Sequence, residues 1–386
     1  MKIFKGLTAL ALCYAFLGSP ALSDCCGPVP STLNHTHFGS GWSGSLIYES
    51  MEMNTLRRGS DEVSADQVLH ERLNAGAARY SVPTRMTMDR ASLQLRYQFD
   101  QEHSLRFTIP WRFNQMDMRM AGRSGTGGGG GHAHHRIIPQ MGDHAGEAGH
   151  SHDHHSDHGH GAPAAPALGA PTFMDMTMNP VDGLGDINLT YNYNFDLDGH
   201  SAWIGAGVVV PTGEWDARDG GGQLIHNMMQ PGSGALGLSA ETGADFQFGD
   251  SRFSLHPRAS LQWNASNPLG YKRGARFDYK LGTRYLLHDR VGLSLDFVGF
   301  IMGKDSTNGA LDPVTGLVAF QRPETSMADD VTNTGGEYLF IAPGFRVNPT
   351  DAISLGFQYR LPIYQNVKGT QLGVDSWYRV FLSARF

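Results

Sequence analysis

Residues Leu93 to Phe113 read LQLRYQFDQEHSLRFTIPWRF and show a repeating pattern from which the fold can be predicted. On both sides of the tripeptide Asp100–Glu102, apolar side chains alternate with polar ones. A period of two residues is typical of a β-strand, because successive side chains of a strand point to opposite faces of the sheet. The polar tripeptide between the two runs indicates a tight turn. The sequence therefore predicts a hairpin with one apolar face and one polar face.

The same alternation recurs along the chain and predicts twelve strands. They cover residues 41–52, 86–99, 103–118, 184–198, 200–211, 235–248, 251–264, 274–287, 290–303, 335–346, 351–364 and 374–386. Short turns and long loops alternate between them, and the long loops lie at 53–85, 119–183, 212–234, 265–273, 304–334 and 365–373. Outer-membrane barrels have an even number of strands, with short periplasmic turns and long extracellular loops.

We therefore predict an all-β fold, a transmembrane antiparallel β-barrel in the outer membrane of a Gram-negative bacterium, with about 12 strands and about 14 as the alternative count. Barrel closure satisfies every backbone polar group, as a bilayer requires. A secreted β-sandwich is the alternative fold, but it gives no reason for all the long loops to lie at one end.

Composition excludes other classes of protein. Hydrophobic residues make up 40% of the 386 residues, charged residues make up 17%, and the net charge is −7. A bundle of transmembrane helices needs several apolar runs of about 20 residues, and the only long apolar run here lies at the N-terminus. The negative charge gives no reason to expect nucleic acid as a partner.

The chain start predicts export from the cytoplasm. Residues 1–23 combine two lysines, an apolar run and small residues before a cleavage site, which is typical of a secretory signal peptide. Residues 24–40 would then form a periplasmic segment and residues 41–386 the barrel. The adjacent Cys25 and Cys26 could bind a soft metal, form a vicinal disulfide or have no role.

The C-terminus predicts two partners. Apolar residues stand at every second position before the terminal Phe386. This ending is typical of bacterial outer-membrane barrels, so we expect the barrel-assembly machinery and outer-membrane lipid to be partners of the chain.

Histidines are concentrated in one long loop. Ten of the 18 lie there, among glycines and aspartates, and a segment of this composition cannot bury a core. We expect an extracellular disordered loop at about 121–172 that captures transition metals, because imidazole binds Cu(II), Ni(II) and Zn(II) well. A solvated spacer is the alternative. The ten candidate ligands are His132, His134, His135, His144, His150, His152, His154, His155, His158 and His160.

Methionines form four rows with the strand period at predicted strand tips. Their parity places all four rows on the lumen side of the wall if no bulge intervenes. Thioether sulfur selects Cu(I), whereas the alternative is flexible apolar filler suited to a hydrophobic ligand. No cofactor is required, and copper ions are the candidate ligands. The rows are Met51 and Met53; Met86 and Met88; Met116, Met118 and Met120; Met174, Met176 and Met178.

Two motifs resemble a known family. Residues 183–189 read GLGDINL, and residues 205–213 read GAGVVVPTG. This pair resembles the proteobacterial outer-membrane family named for the meta pathway of phenol degradation. The resemblance implies a barrel that admits aromatic compounds and brings no catalytic residues. Because His256 and its neighbouring serines show no ordered Ser–His–Asn set, we do not expect an enzyme.

Three functions follow for the barrel. The first is an outer-membrane channel that captures or passes copper-like ions through the His-rich loop and the Met rows. The second is an uptake channel for small hydrophobic or aromatic compounds, and the third is a surface metal-binding barrel without transport. Polar-face arginines could favour anions, but a ladder of arginine–carboxylate pairs that braces the interior is the preferred interpretation. They are Arg96, Arg106, Arg112, Arg258, Arg284, Arg360 and Arg379.

Overall fold

A computed structural model describes residues 40–123, 169–248 and 252–386. The predictions on the signal peptide, on Cys25 and Cys26 and on the ten loop histidines lie outside the described residues. The described chain forms a closed antiparallel barrel of twelve strands. They are β1 (Gly41–Met53), β2 (Arg79–Gln98), β3 (His103–Arg123), β4 (Ile187–Leu197), β5 (His200–Val210), β6 (Gly237–Gln247), β7 (Phe253–Asn264), β8 (Arg276–His288), β9 (Val291–Met302), β10 (Gly336–Val347), β11 (Ile353–Gly373) and β12 (Ser376–Arg385).

Each strand pairs with its neighbours in sequence, and β1 closes the barrel against β12. In this seam Leu46 lies opposite Leu382, and Trp42 exchanges backbone hydrogen bonds with the terminal Phe386. The hairpin predicted over Leu93–Phe113 is present, with Leu93 opposite Ile109. The predicted fold and strand count are thus confirmed.

The two faces of the wall follow the predicted alternation. The outer face carries exposed apolar side chains such as Trp111, Phe113 and Ile204, which is what a lipid-facing surface requires. The inner face carries buried polar and charged side chains, among them Arg106 and Glu241. Among the described residues, no helix is both long enough and apolar enough to cross a bilayer.

Three strands are longer than predicted, all at the end with the long loops. β2 begins at Arg79, β3 continues to Arg123, and β11 continues to Gly373. The predicted loop at 365–373 is therefore strand, because this part of β11 pairs with the short strand Thr55–Gly59. The extension of β3 pairs with the short strand Pro171–Thr177. The predicted loop at 121–172 is therefore shorter at both ends, because its first and last residues belong to strands.

A helix, α1 (Ala65–Asn74), lies in the predicted loop 53–85. Ser64 caps it by accepting a hydrogen bond from the Gln67 backbone N–H at 3.1 Å. The helix buries Val68, Leu69 and Leu73 against the mouth of the barrel. The remaining short elements are the strands Asp61–Glu62, Val181–Leu184, Tyr271–Lys272 and Ser306–Thr307 and the 3₁₀ turns Asn227–Met229 and Val331–Asn333.

Candidate functional site

Buried methionines gather inside the extracellular mouth of the barrel. On three neighbouring strands they stand opposite one another, with Met51 facing Met88, Met53 facing Met86, and Met86 facing Met116. Side chains opposite each other in an antiparallel pair have Cβ atoms about 5 Å apart. We call the buried set the methionine cluster; its members are Met51, Met53, Met86, Met88, Met116, Met118, Met229 and Met327. The inward direction predicted for the first three rows is thus observed.

The fourth predicted row has a different environment. Met174 and Met176 lie opposite Met120 and Met118 in register, but they are 58% and 41% exposed. The reason is that Pro171–Thr177 pairs with the part of β3 that extends beyond the barrel. These two side chains therefore lie outside the lumen, whereas Met178 packs against the methionine cluster.

The loop between β5 and β6 fills much of the mouth. Its 3₁₀ turn is held by Asn114 of β3, which donates from Nδ2 to the Met229 carbonyl at 3.1 Å. Gln230 is fully buried and exchanges two hydrogen bonds of 3.0 Å with the backbone of Ala217. Because these amide groups satisfy the buried backbone, the loop holds one shape inside the barrel.

The two sequence motifs that resembled a family join this loop to the wall. The buried Asp186 accepts hydrogen bonds from the Gly213 N–H at 3.1 Å and from the Ser233 N–H and hydroxyl at 2.8 and 2.5 Å. Thr212 donates to the Gly185 carbonyl at 3.0 Å. A Cβ at Gly213 would come within 2.7 Å of the Gly232 Cα and of the Leu184 carbonyl, so only glycine fits there. We call this contact the motif latch.

A second long loop, between β9 and β10, is fastened to the first. Asp329 is buried and binds His226 Nδ1 and Arg322 Nε, both at 2.6 Å. Burial alone would raise the pKa of Asp329, but the neighbouring His226 and Arg322 outweigh it and hold the pKa below the ordinary aspartate value. Arg218 and Asp312 form a second, bidentate ion pair between the same loops at 2.7 and 2.8 Å.

A cavity of about 100 Å³ remains between these loops and the wall. We call it the mouth cavity; its apolar lining includes Met88, Met228, Met302, Met327 and Leu372. Its polar side holds Arg273, Arg276 and Asp305. Burial raises the pKa of Asp305, opposed by hydrogen bonds from the Tyr271 hydroxyl and the Gly274 N–H.

Below the mouth, charged side chains cross the lumen. Arg106 binds both carboxylate oxygens of Glu241 at 2.6 and 2.7 Å, and Glu49 is bound by Arg90 and lies 3.9 Å from Arg360. The predicted arginine–carboxylate pairing is thus observed for Arg106 and Arg360, and Arg258 likewise binds Asp245. One gap at this level has a volume of about 20 Å³, which is room for about one water molecule.

At the end with the short turns, the lumen widens into a cavity of about 990 Å³. We call it the turn-side cavity. Its wall holds Ser254, His256 and Asp245. The Ser254 hydroxyl lies 2.8 Å from His256 Nε2, and His256 Nδ1 lies 2.6 Å from the Asp245 carboxylate. The sequence shows no ordered Ser–His–Asn set around His256, and the third member of this hydrogen-bonded set is an aspartate of the neighbouring strand.

The predicted metal ligands are only partly brought together. Seven candidate methionines, Met120 included, are buried on β1, β2 and β3. Within the described ranges, no group of three His, Cys, Asp or Glu side chains is arranged to hold a metal ion. Sequence reasoning missed Asp186, Asp329 and Asp245, whose partners are brought to them by the fold.

A closed barrel with an apolar outer face and a charged lumen defines the class: the chain is an outer-membrane β-barrel protein. The family model described as "Putative MetA-pathway of phenol degradation" matches residues 165–380. The chain belongs to this family, since the match covers more than half of it and contains both motifs of the latch. No curated protein has significant sequence similarity to the chain.

The chain is similar to several solved structures. An outer membrane channel from Pseudomonas putida F1 has 13% identity and a TM-score of 0.53, with 93% of this chain and 100% of that chain covered. A Pseudomonas aeruginosa FadL homologue has 11% identity, a TM-score of 0.36 and 90% coverage of both chains. The CymD monoaromatic hydrocarbon channel has 7% identity and a TM-score of 0.36, covering 90% of this chain and 89% of that chain.

Proposed function

We propose that the protein is an outer-membrane uptake channel for small hydrophobic or aromatic compounds and that the mouth cavity is its first binding site. One observation carries the proposal: an apolar cavity lined by methionines opens among loops above a lumen that is otherwise charged. Ligand sites are typically concave and apolar, with a few polar groups that fix orientation. The family description, which refers to phenol degradation, supports this substrate class.

Size and chemistry favour a single aromatic ring. The cavity of about 100 Å³ is somewhat smaller than the engineered apolar cavity of about 150 Å³ that binds benzene. Each contact between a methionine sulfur and an aromatic ring contributes about 0.3–1.5 kcal/mol. Arg273 and Asp305 on the polar side supply groups that can bind a ring hydroxyl. Phenol itself combines these features.

The test is binding of 4-fluorophenol to the purified full-length protein, followed by fluorine NMR. Met302→Lys places a cation in the cavity, and we expect the dissociation constant to rise at least tenfold, which corresponds to about 1.4 kcal/mol. Met174→Lys is the matched control, because Met174 is 58% exposed and lies outside the cavity. Uptake of labelled phenol by cells that carry each variant is then compared.

Two outcomes would contradict the proposal. Equal affinity of wild type and Met302→Lys would remove the mouth cavity as the binding site. Phenol uptake that is the same in cells with and without the protein would remove the channel function. A barrel without transport, which binds ligand only at its surface, would give binding without uptake.

We further propose, as a second function, that the methionine cluster binds soft monovalent metal ions such as Cu(I). The registered pairs of Met51 with Met88 and of Met53 with Met86 support it, because they bring thioethers of neighbouring strands together. Titration of the purified protein with Ag(I) should show affinity that falls when Met51, Met86 and Met88 are changed to Leu. The exposed pair Met174→Leu and Met176→Leu is the control, and equal affinity in both variants would refute the idea.

A further inference from the structure

The structure assigns a second activity to the barrel: we infer that Ser254, His256 and Asp245 form a nucleophilic triad that hydrolyses small carboxylic esters in the turn-side cavity. This site lies at the opposite end of the lumen from the mouth cavity. The inference is therefore independent of the proposed channel function.

The strand geometry brings the three side chains together. Ser254 and His256 are two residues apart on β7, so both side chains point into the lumen. Asp245 lies on β6, the antiparallel neighbour of β7. All three border the turn-side cavity of about 990 Å³, which leaves room for a substrate in front of the serine.

The hydrogen bonds fix the role of each group. A carboxylate only accepts hydrogen bonds, so in the 2.6 Å contact with Asp245 the proton is carried by His256 Nδ1. In the neutral imidazole Nε2 is then an acceptor, and it takes the hydrogen bond from the Ser254 hydroxyl at 2.8 Å. A nucleophile, a base and an orienting carboxylate in this order are the constellation of serine hydrolases, which is recognised by geometry on unrelated folds.

A cation stands where negative charge would develop. Arg284 of β8 is the cross-strand partner of Ser254 and borders the same cavity. Side chains at such positions have Cβ atoms about 5 Å apart. A guanidinium there can stabilise the oxyanion that forms when the serine attacks a carbonyl carbon.

The reaction balances with water as the only co-reactant. The Ser254 Oγ attacks the ester carbonyl carbon while its proton passes to His256 Nε2. The bond from that carbon to the alcohol oxygen breaks, and the alcohol leaves with the proton from Nε2. Water then attacks the acyl-serine, gives its proton to Nε2, and releases the acid as Oγ recovers that proton. Asp245 is a positioning residue, since its Oδ1 binds His256 and Arg258 rather than the serine.

The first test uses a fluorescent fluorophosphonate, a probe that forms a stable adduct with activated serines, on the folded full-length protein. We expect one adduct, located at Ser254 by peptide mass spectrometry, and hydrolysis of p-nitrophenyl acetate at a measurable rate. Because the adduct is mapped in the wild-type protein, this test does not depend on whether a variant folds. Absence of an adduct, or an adduct at a different residue, would overturn the inference.

Variants separate chemistry from structure. Ser254→Ala should abolish labelling, and His256→Ala should lower its rate by about 10³-fold or more. Ser383→Ala is the matched control, since this buried lumen serine binds another serine, Ser45, at 2.8 Å and should label as wild type. Asp245→Asn should change the pH dependence of the labelling rate. If the contact were purely structural, its loss would leave this pH dependence unchanged. Labelling of Ser254→Ala at the wild-type rate would refute the inference.

Discussion

Replacing Asp186 with alanine should release the loop between β5 and β6 from the barrel wall. The carboxylate accepts three hydrogen bonds, of 3.1, 2.8 and 2.5 Å, from two residues of that loop. A hydrogen bond to a charged group contributes about 1.5–3 kcal/mol, and the three act on one short segment. Even a loss of about 4 kcal/mol, less than their sum, changes the ratio of docked to undocked loop about 10³-fold.

Two assays follow this release. Hydrogen exchange, read by mass spectrometry, should become faster in residues 213–233 and stay unchanged in β9 and β10. Conductance through single proteins in planar bilayers should rise, because the loop that fills the mouth leaves it for part of the time. Asp182→Asn is the matched control, since Asp182 lies four residues earlier on the same segment and is exposed.

Two results would contradict a role of Asp186 in holding this loop. If Asp186→Ala exchanged and conducted as wild type does, the motif latch would not hold the loop. If exchange became faster throughout the barrel, Asp186 would support the whole wall rather than the loop.

Three further predictions concern the charged lumen and the mouth. Glu241→Gln leaves the buried Arg106 without its carboxylate partner, and we expect the free energy of unfolding to fall by about 3–5 kcal/mol. Urea titration measures this change, and Glu62→Gln, at an exposed glutamate, is the control. The pKa of Asp329 is lower in the folded protein, so its stabilising effect is present above the unfolded pKa of about 3.9 and is lost as the pH falls through the lower folded value. Protection of the β9–β10 loop from hydrogen exchange, relative to the intrinsic exchange rate at each pH, should therefore fall on acidification below about pH 4. In Asp329→Asn this protection should already be low at neutral pH. Gly213→Ala should displace its loop and raise conductance as Asp186→Ala does. The control is Gly220→Ala, which has open space for a Cβ and should conduct as wild type. Equal conductance of the two variants would show that a Cβ at residue 213 does not clash with its neighbours.

The wall of the barrel follows from local rules, and so the sequence predicts it well. Alternation in Leu93–Phe113 sets which side chains face lipid, and parity then sets the direction of Met86 and Met116 without knowledge of distant residues. The sequence also carries a signal for the helix α1. Ser64 and Gln67 have the spacing of a capping box, which a search for the strand period does not detect.

The interactions inside the barrel join residues that are far apart in the chain, and local sequence patterns do not reveal such pairs. His226 and Asp329 are 103 positions apart, and Arg106 and Glu241 are 135 apart. Asp245 is only 11 positions from His256, yet its role depends on the angle at which two strands present their side chains. Sequence predicts that arginines and carboxylates share the lumen, whereas the fold decides which of them pair.

The pairing of Arg123 with Pro171 has a consequence for how this protein could be altered. These residues lie directly opposite each other at the tip of a two-stranded ribbon, so the two positions that flank residues 124–170 are adjacent. Two strands that end side by side can be joined by a turn of about two residues. We therefore expect that the histidine-bearing segment can be shortened, lengthened or exchanged for another while the strands of the barrel keep their register.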